Sequence, residues 1–156
     1  MVKVRMEQKP AFAATGVKTW ISKLEDFQDF WDRCHMDGTI ATLKSLCDAS
    51  DGITQSSVFG VSRVEKDPQK RDFDFFIASE GEHDRHGEFE TFTIPCALWA
   101  IFQSTGDVQS ALFEAEMYAF KEWLPASGYE HAFAPELEVY PENGVVEFWL
   151  PVMKGN

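Results

Sequence analysis

Apolar and polar residues alternate through most of this chain, and two stretches break that rhythm with 3–4-residue spacing. Residues 2–8 (VKVRMEQ) alternate and predict a strand. Pro10 interrupts it, and 11–20 predict a bulged continuation with Gly16 at the irregularity. Phe27, Phe30, Trp31 and Cys34 then recur on one helical face. Ser22 is the expected N-cap of that helix, with Glu25 at the capping-box position. Gly38 breaks or bends it, and 39–47 predict a second helical piece carrying Ile40, Leu43, Leu46 and Cys47. Asp51-Gly52 signals a turn. Residues 57–63 (SVFGVSR) and 72–78 (DFDFFIA) predict two strands around a charged turn with Pro68, with Phe73, Phe75 and Ile77 on one face.

The second half repeats this order. Residues 89–94 and 97–104 predict strand segments on either side of Pro95. A helix follows Gly106, with Asp107 as N-cap and an apolar stripe of Leu112, Phe113, Met117, Phe120 and Leu124. Pro125 is expected to end it. The segment from Trp123 to Tyr129 reads as the helix stop that delivers a strand over 136–140. Glu142-Asn143-Gly144 carries an Asn-Gly hairpin signal, and 145–153 return as the last strand. The expected fold is α+β: two βαββ units, 1–80 and 88–154, joined by a polar linker at 81–87 within a single domain, 1–156. They should form an antiparallel sheet with two main helices on one face.

Alternation also divides the faces of the last hairpin. If the helix-facing positions are the aliphatic ones, Leu137 and Val139 join Val146, Phe148 and Leu150 under the helices. Glu138 and Tyr140 then lie beside Glu147 and Trp149 on the other face, and Trp99 falls on either. Aromatic rings with carboxylates among them need a cover. Either a helix, loop or second subunit supplies it, or the face lines a groove. Such a groove suits a flat or cationic molecule, through ring stacking, cation–π attraction and a countercharge. A carboxylate among rings has a raised pKa, which suits a general acid or base.

Composition narrows the function classes. The chain has 156 residues, is 44% hydrophobic and 14% aromatic, and carries a formal net charge of −12. That charge disfavours nucleic acid and anionic membrane surfaces, which bind through Lys and Arg. No apolar run is long enough to span a bilayer and no signal peptide is evident, so the expected location is cytoplasmic. Cys34, Cys47 and Cys96 lack metal-ligand spacing and read as thiols of a reducing compartment. His83 and His86, with Asp84 between them, lack a third ligand and read as a solvated loop. No nucleophile elbow, phosphate-cradling loop or zinc motif is present, and no cofactor is expected.

In its ordered series of motifs the chain resembles the effector-binding domains of the GyrI-like family, found in AraC- and MerR-type regulators and as stand-alone proteins. The series is Phe59-Gly60-Val61-Ser62, Phe73-Asp74-Phe75, Thr93 to Phe102, Trp123 to Tyr129, Leu137-Glu138-Val139-Tyr140 and Phe148-Trp149-Leu150-Pro151-Val152. The resemblance implies a ligand groove at the pseudo-twofold junction of the halves, open to bulky aromatic or cationic compounds. It implies that Glu138 is the central acidic residue, with Trp99 and Tyr140 lining the groove. Trp149, Tyr118 and Glu116 are further candidates for the ligand site. Some family members hydrolyse cyclopropane-containing alkylators, in which case Glu138 and Tyr140 would be catalytic. Others inhibit gyrase, which would make a regulator or gyrase the protein partner. The first strand begins at residue 2 with no helix-turn-helix before it, which sets the expectation of a stand-alone small-molecule-binding protein, monomer or homodimer.

Overall fold

A computed structural model describes residues 2–46, 52–83, 89–142 and 144–155. Cys47, Asp51, Asp84, His86 and Asn143 lie outside them. The elements in chain order are β1 (Lys3–Lys9), β2 (Phe12–Ile21), α1 (Glu25–Met36), α2 (Thr39–Ser45), β3 (Phe59–Ser62) and β4 (Phe73–Glu80). The second half gives β5 (Glu90–Ile94), β6 (Ala97–Thr105), α3 (Val108–Tyr118), a π turn (Ala119–Trp123), α4 (Leu124–Ser127), β7 (Tyr129–His131), β8 (Glu136–Glu142) and β9 (Val145–Lys154). All pairings are antiparallel, in the order β1-β6-β9-β8-β3-β4-β2-β5, with β7 added beside β9. The α+β class with two βαββ units is therefore observed.

The two prolines explain how this order closes. β1 and β2 are parts of one strand kinked at Pro10, and β5 and β6 are parts of another kinked at Pro95. Their mutual register runs on across both kinks, with Lys9 opposite Ala97 and Phe12 opposite Ile94. Beyond the kinks, β2 pairs with β4 and β6 with β9. The sheet therefore curls back on itself. Its inner face is a core of Phe59, Val61, Trp99, Ile101, Leu137, Val139 and Trp149, to which β2 and β5 contribute Phe12 and Ile94. Its outer face carries α1 and α2 over one half, and α3 with the π turn over the other.

Several expectations are corrected. Leu137 and Val139 do not face the helices: they pair beside Trp149 and Glu147 and point to the inner core. Glu138 stands opposite Phe148, on the helix-bearing face. Helix burial does not select aliphatic positions here, because the curled sheet makes its other face apolar too. Gly16 is not at a bulge, for it pairs regularly with Ala78 and Glu90. A Cβ there would sit 2.1 Å from the Ile77 carbonyl oxygen, so only glycine fits. Ser22 does not cap α1, which has no side-chain N-cap. Instead the Asp26 carboxylate accepts from the Ser22 and Lys23 backbone N–H groups and from the Ser22 hydroxyl. Asp107 does cap α3, accepting from the Ser110 N–H.

The α3 stripe also differs from expectation. Ala111, Ala115 and Ala119 meet the sheet, and Phe113 is exposed. Small residues let this helix approach the sheet closely. Pro125 does not end the helical run. The wider π turn before it relieves the clash that a proline ring makes with the preceding turn. The run ends at Gly128, whose φ of 81° is a left-handed cap. Trp123 and Tyr129 stack at 5.8 Å between ring centroids across that end.

Gly16→Ala should destabilise the fold by about 2 kcal/mol or more, because the clash is with backbone rather than with a flexible side chain. Urea denaturation of the two proteins checks this, and near-equal midpoints would contradict the close approach.

Candidate functional site

The register fixes a pseudo-twofold axis. Gly16 follows Pro10 at the same distance as Ile101 follows Pro95. Their partners, Ala78 and Trp149, pair in turn with Phe59 and Leu137. Phe59 therefore matches Leu137, and Gly60 matches Glu138. Gly60 and Glu138 also face each other across β3 and β8. The axis passes between them, so one half places glycine where the other places glutamate.

This asymmetry builds the floor. A Cβ on Gly60 would lie 2.9 Å from Glu138 Oε1 and 2.6 Å from the Phe75 ring. The missing side chain is the space into which the Glu138 carboxylate leans. Glu138 is only 6% exposed. The Tyr140 hydroxyl donates to its Oε1 at 2.7 Å. Tyr140 in turn meets Trp31 of α1 edge to face, at 5.7 Å between centroids.

The walls obey the same symmetry. Trp31 follows Pro10 at the distance at which Glu116 follows Pro95. Phe30 and Cys34 are buried beneath α1, as Ala115 and Ala119 are beneath α3 and its π turn. Trp31 and Glu116 therefore occupy matching places beside the axis. Phe120, one turn beyond Glu116, packs on Phe148, the strand partner of Glu138.

A third carboxylate completes the floor. Glu136 is 2% exposed, and Arg71 donates to it from both terminal nitrogens, at 2.8 and 3.2 Å. His131 Nε2 donates to Glu136 Oε2 at 3.0 Å, since its Nδ1 accepts from the Phe133 N–H. Burial opposes the charged form of Glu136, but the His131 and Arg71 hydrogen bonds and the Arg71 charge outweigh it and hold its pKa below the ordinary value. Among the described residues Glu138 and Glu116 have no ion pair. Burial first, and then the Glu136 charge, push Glu138 up to about 7 against the Tyr140 hydrogen bond. Burial and the charges of Glu138 and Glu136 push Glu116 up to about 8, with Arg71 opposing. Burial, the Glu138 charge and the bond to its carboxylate raise Tyr140 well above its usual range.

Of the residues singled out from sequence, the structure brings Glu138, Tyr140 and Glu116 together. It places Trp99 and Trp149 elsewhere. They lie 5.7 Å apart between centroids in the inner core, almost wholly buried, on the opposite face of the sheet from Glu138. Tyr118 packs on Phe102 under α3, away from the Glu116 side of the helix. Glu136, not among the candidate site residues, is a buried ion-pair partner. Sequence reasoning missed Trp31, Gly60, Arg71 and His131 as parts of this cluster. The equal spacing of Trp31 and Glu116 from their prolines was the signal for Trp31. Arg71, in a charged turn, gave none. His83 is half-buried, with its backbone N–H on the Thr15 hydroxyl. Among the described residues no group of three His, Cys, Asp or Glu is placed to hold a metal, and no helix is long and apolar enough to cross a membrane.

A buried, unpaired carboxylate at the junction of two βαββ units, flanked by rings, is the architecture of a small-molecule-binding domain. The chain belongs to the GyrI-like family: the model of the GyrI-like small molecule binding domain matches residues 2–153. No curated protein sequence matches it. Solved structures of the same fold include SAV2435 bound to tetraphenylphosphonium, at 20% identity and a TM-score of 0.75, over 97% of this chain and 94% of that one. The C-terminal domain of EcmrR matches at 14% identity and a TM-score of 0.66, over 99% of both chains. A hydrolase encoded by lin2189 from Listeria innocua is more distant, at 13% identity and a TM-score of 0.53, over 97% of this chain and 92% of that one. At these identities the likeness establishes the fold.

The raised carboxyls make stability depend on pH. Their folded pKa values exceed the ordinary 4.5, so the folded chain holds protons that the unfolded chain has released. The stability they contribute is fully present below pH 4.5 and is lost as pH rises through about 7 and 8. Glu138→Gln and Glu116→Gln should therefore raise the melting temperature at about pH 8.5 and change it least near pH 5. Thermal denaturation at both pH values checks this, and a gain no larger at the higher pH would contradict it.

Proposed function

We propose that the groove over the axis binds a bulky lipophilic cation, with Glu138 as its countercharge. Trp31 and Tyr140 offer ring surfaces, and Glu116 is a second carboxylate at the wall. The observation that carries this reading is Glu138 itself. A carboxylate this buried, with a tyrosine hydroxyl as its hydrogen-bond partner and no ion-pair partner among the described residues, is poorly compensated until a cation arrives. Tetraphenylphosphonium, the ligand in the SAV2435 structure, is a cation of this class. Trp99, Trp149 and Tyr118 play no direct part in this reading. A cytoplasmic location goes with it, since Cys96 is an exposed thiol, a form that a reducing compartment preserves.

A second reading rests on the Glu138–Tyr140 bond. A carboxyl titrating at about 7 beside a phenol is an acid–base pair, suited to directing water onto an electrophilic ligand. Product analysis by mass spectrometry with an electrophilic cyclopropane separates the two. Turnover abolished by Glu138→Gln favours catalysis, and binding without turnover favours a sensor.

The binding test uses tetraphenylphosphonium and tryptophan fluorescence, with Trp31 as the reporter beside the floor. A cation favours the charged carboxylates, so affinity should rise between pH 6 and about 8.5 as Glu138 and Glu116 release protons. Glu138→Gln should weaken binding about tenfold or more at the higher pH and flatten the pH profile. Undiminished affinity in that variant would remove Glu138 from the role.

A further inference from the structure

One recess near the site does not lie over Glu138. It is a cleft of about 850 Å³ beyond Arg71, lined on its apolar side by Phe120, Leu124, Pro125 and Tyr129. Arg71 and His131 line it, and both bond to Glu136, two residues from Glu138 on the same face of β8, about 7 Å along the strand. Phe120 lines it too, about one helical turn from Glu116. The Arg71 guanidinium is the shared wall, 5.3 Å from the Phe120 ring centroid and 5.5 Å from that of Phe73.

The polar groups of that wall are already committed. Arg71 spends its fork on Glu136 and also donates to the Pro68 carbonyl. Both His131 ring nitrogens have partners, Glu136 and the Phe133 N–H. Apart from the exposed Gln69 and Glu130 side chains, what the cleft offers a ligand is apolar surface, adjoining a carboxylate floor that calls for a cation.

Resting on the cation-binding reading, we propose that the groove and the cleft are two subsites of one site, and that the ligand is an elongated amphiphile. Its cationic head lies over Glu138, and an apolar arm runs past Arg71 into the cleft. The molecule recognised is thus a lipophilic cation with a flexible or linear apolar extension, rather than a compact sphere of rings. Arg71 acts as a divider that keeps Glu136 neutralised, so the head is drawn to Glu138 and the arm passes a neutralised pair on its way.

The test is a series of triphenylphosphonium cations carrying n-alkyl arms from methyl to octyl, titrated below their aggregation concentration by calorimetry. With the wild-type chain, affinity should rise about three- to fourfold per methylene over the first several carbons, as each leaves water for the cleft. Glu138→Gln should weaken every member by a similar factor and keep the slope. Gln69→Trp, which fills the cleft from an exposed lining position, should flatten the slope while leaving the methyl compound's affinity unchanged. Leu124→Asp, which makes the cleft wall polar, should do the same and serves as the second variant should the first misfold. A series that binds with no dependence on arm length overturns the inference and leaves the cation reading standing. A slope that survives both cleft variants also overturns it, since the arm then lies elsewhere. If the methyl compound fails to bind, the cation reading itself falls and takes the inference with it.

Discussion

The whole site depends on one steric allowance, the absence of a side chain at Gly60. Two βαββ units that share a sheet across an axis must bring like positions face to face. With side chains at both central positions, the helix-bearing face over the axis would be filled by the pair. With glycine on one side, the Phe75 ring and the Glu138 carboxylate take the space instead. The carboxylate is thereby held against Gly60, only 6% exposed. The hydrogen bond from Tyr140, which also rests against Trp31, fixes its direction. Position, burial and electrostatics at the site all follow from that one asymmetry between the halves.

Three carboxylates converge near the axis, and the chain treats them differently. Glu136 receives a guanidinium fork and an imidazole N–H, so it stays charged although buried. Glu138 receives only the Tyr140 hydroxyl and Glu116 only the nearby charge of Arg71, and both hold their protons toward neutral pH. An apo protein with all three ionised would concentrate negative charge in a region of low dielectric, where repulsion is poorly screened. Protonation removes that repulsion at little cost while the site is empty. In the proposed function, a cation arriving near neutral pH exchanges for those protons. A single fixed pair, Glu136 with Arg71, thus leaves two adjustable carboxyls beside it, and the site can match the charge of what enters.

The order of elements was legible in the chain because it rests on local signals: alternation, helical spacing, and the two prolines that break long strands. The caps divided. Asp107 works as its spacing suggests, whereas Ser22 donates to Asp26 and leaves the helix start without a side-chain cap. The π turn was not legible, since nothing in a run such as Ala-Phe-Lys-Glu-Trp marks a wider turn except the proline that follows. β7 was too short to stand out and forms only because β9 extends past β8 and offers an edge. In the site, the resemblance supplied Glu138, and alternation placed Tyr140 beside it. Arg71 could not be read, because a charged side chain in a turn looks the same whether it meets solvent or folds back onto a buried carboxylate 65 positions away.

The face of the last hairpin shows most clearly what alternation can and cannot decide. Period two separates Glu138 from Leu137 with certainty, but it assigns neither to a helix. The usual step is to give the more apolar set to the helix-bearing face, which assumes that the other face meets water. Here the sheet curls back through its two kinked strands, so the inner face is a core in its own right and takes the larger rings, Trp99 and Trp149. The helix-bearing face carries α1 over one half and α3 over the other, with Gly60 and Glu138 at the axis. The two tryptophans that looked like a ligand's wall support it from beneath, fixing the curvature that brings β3 and β8, and with them Gly60 and Glu138, into register.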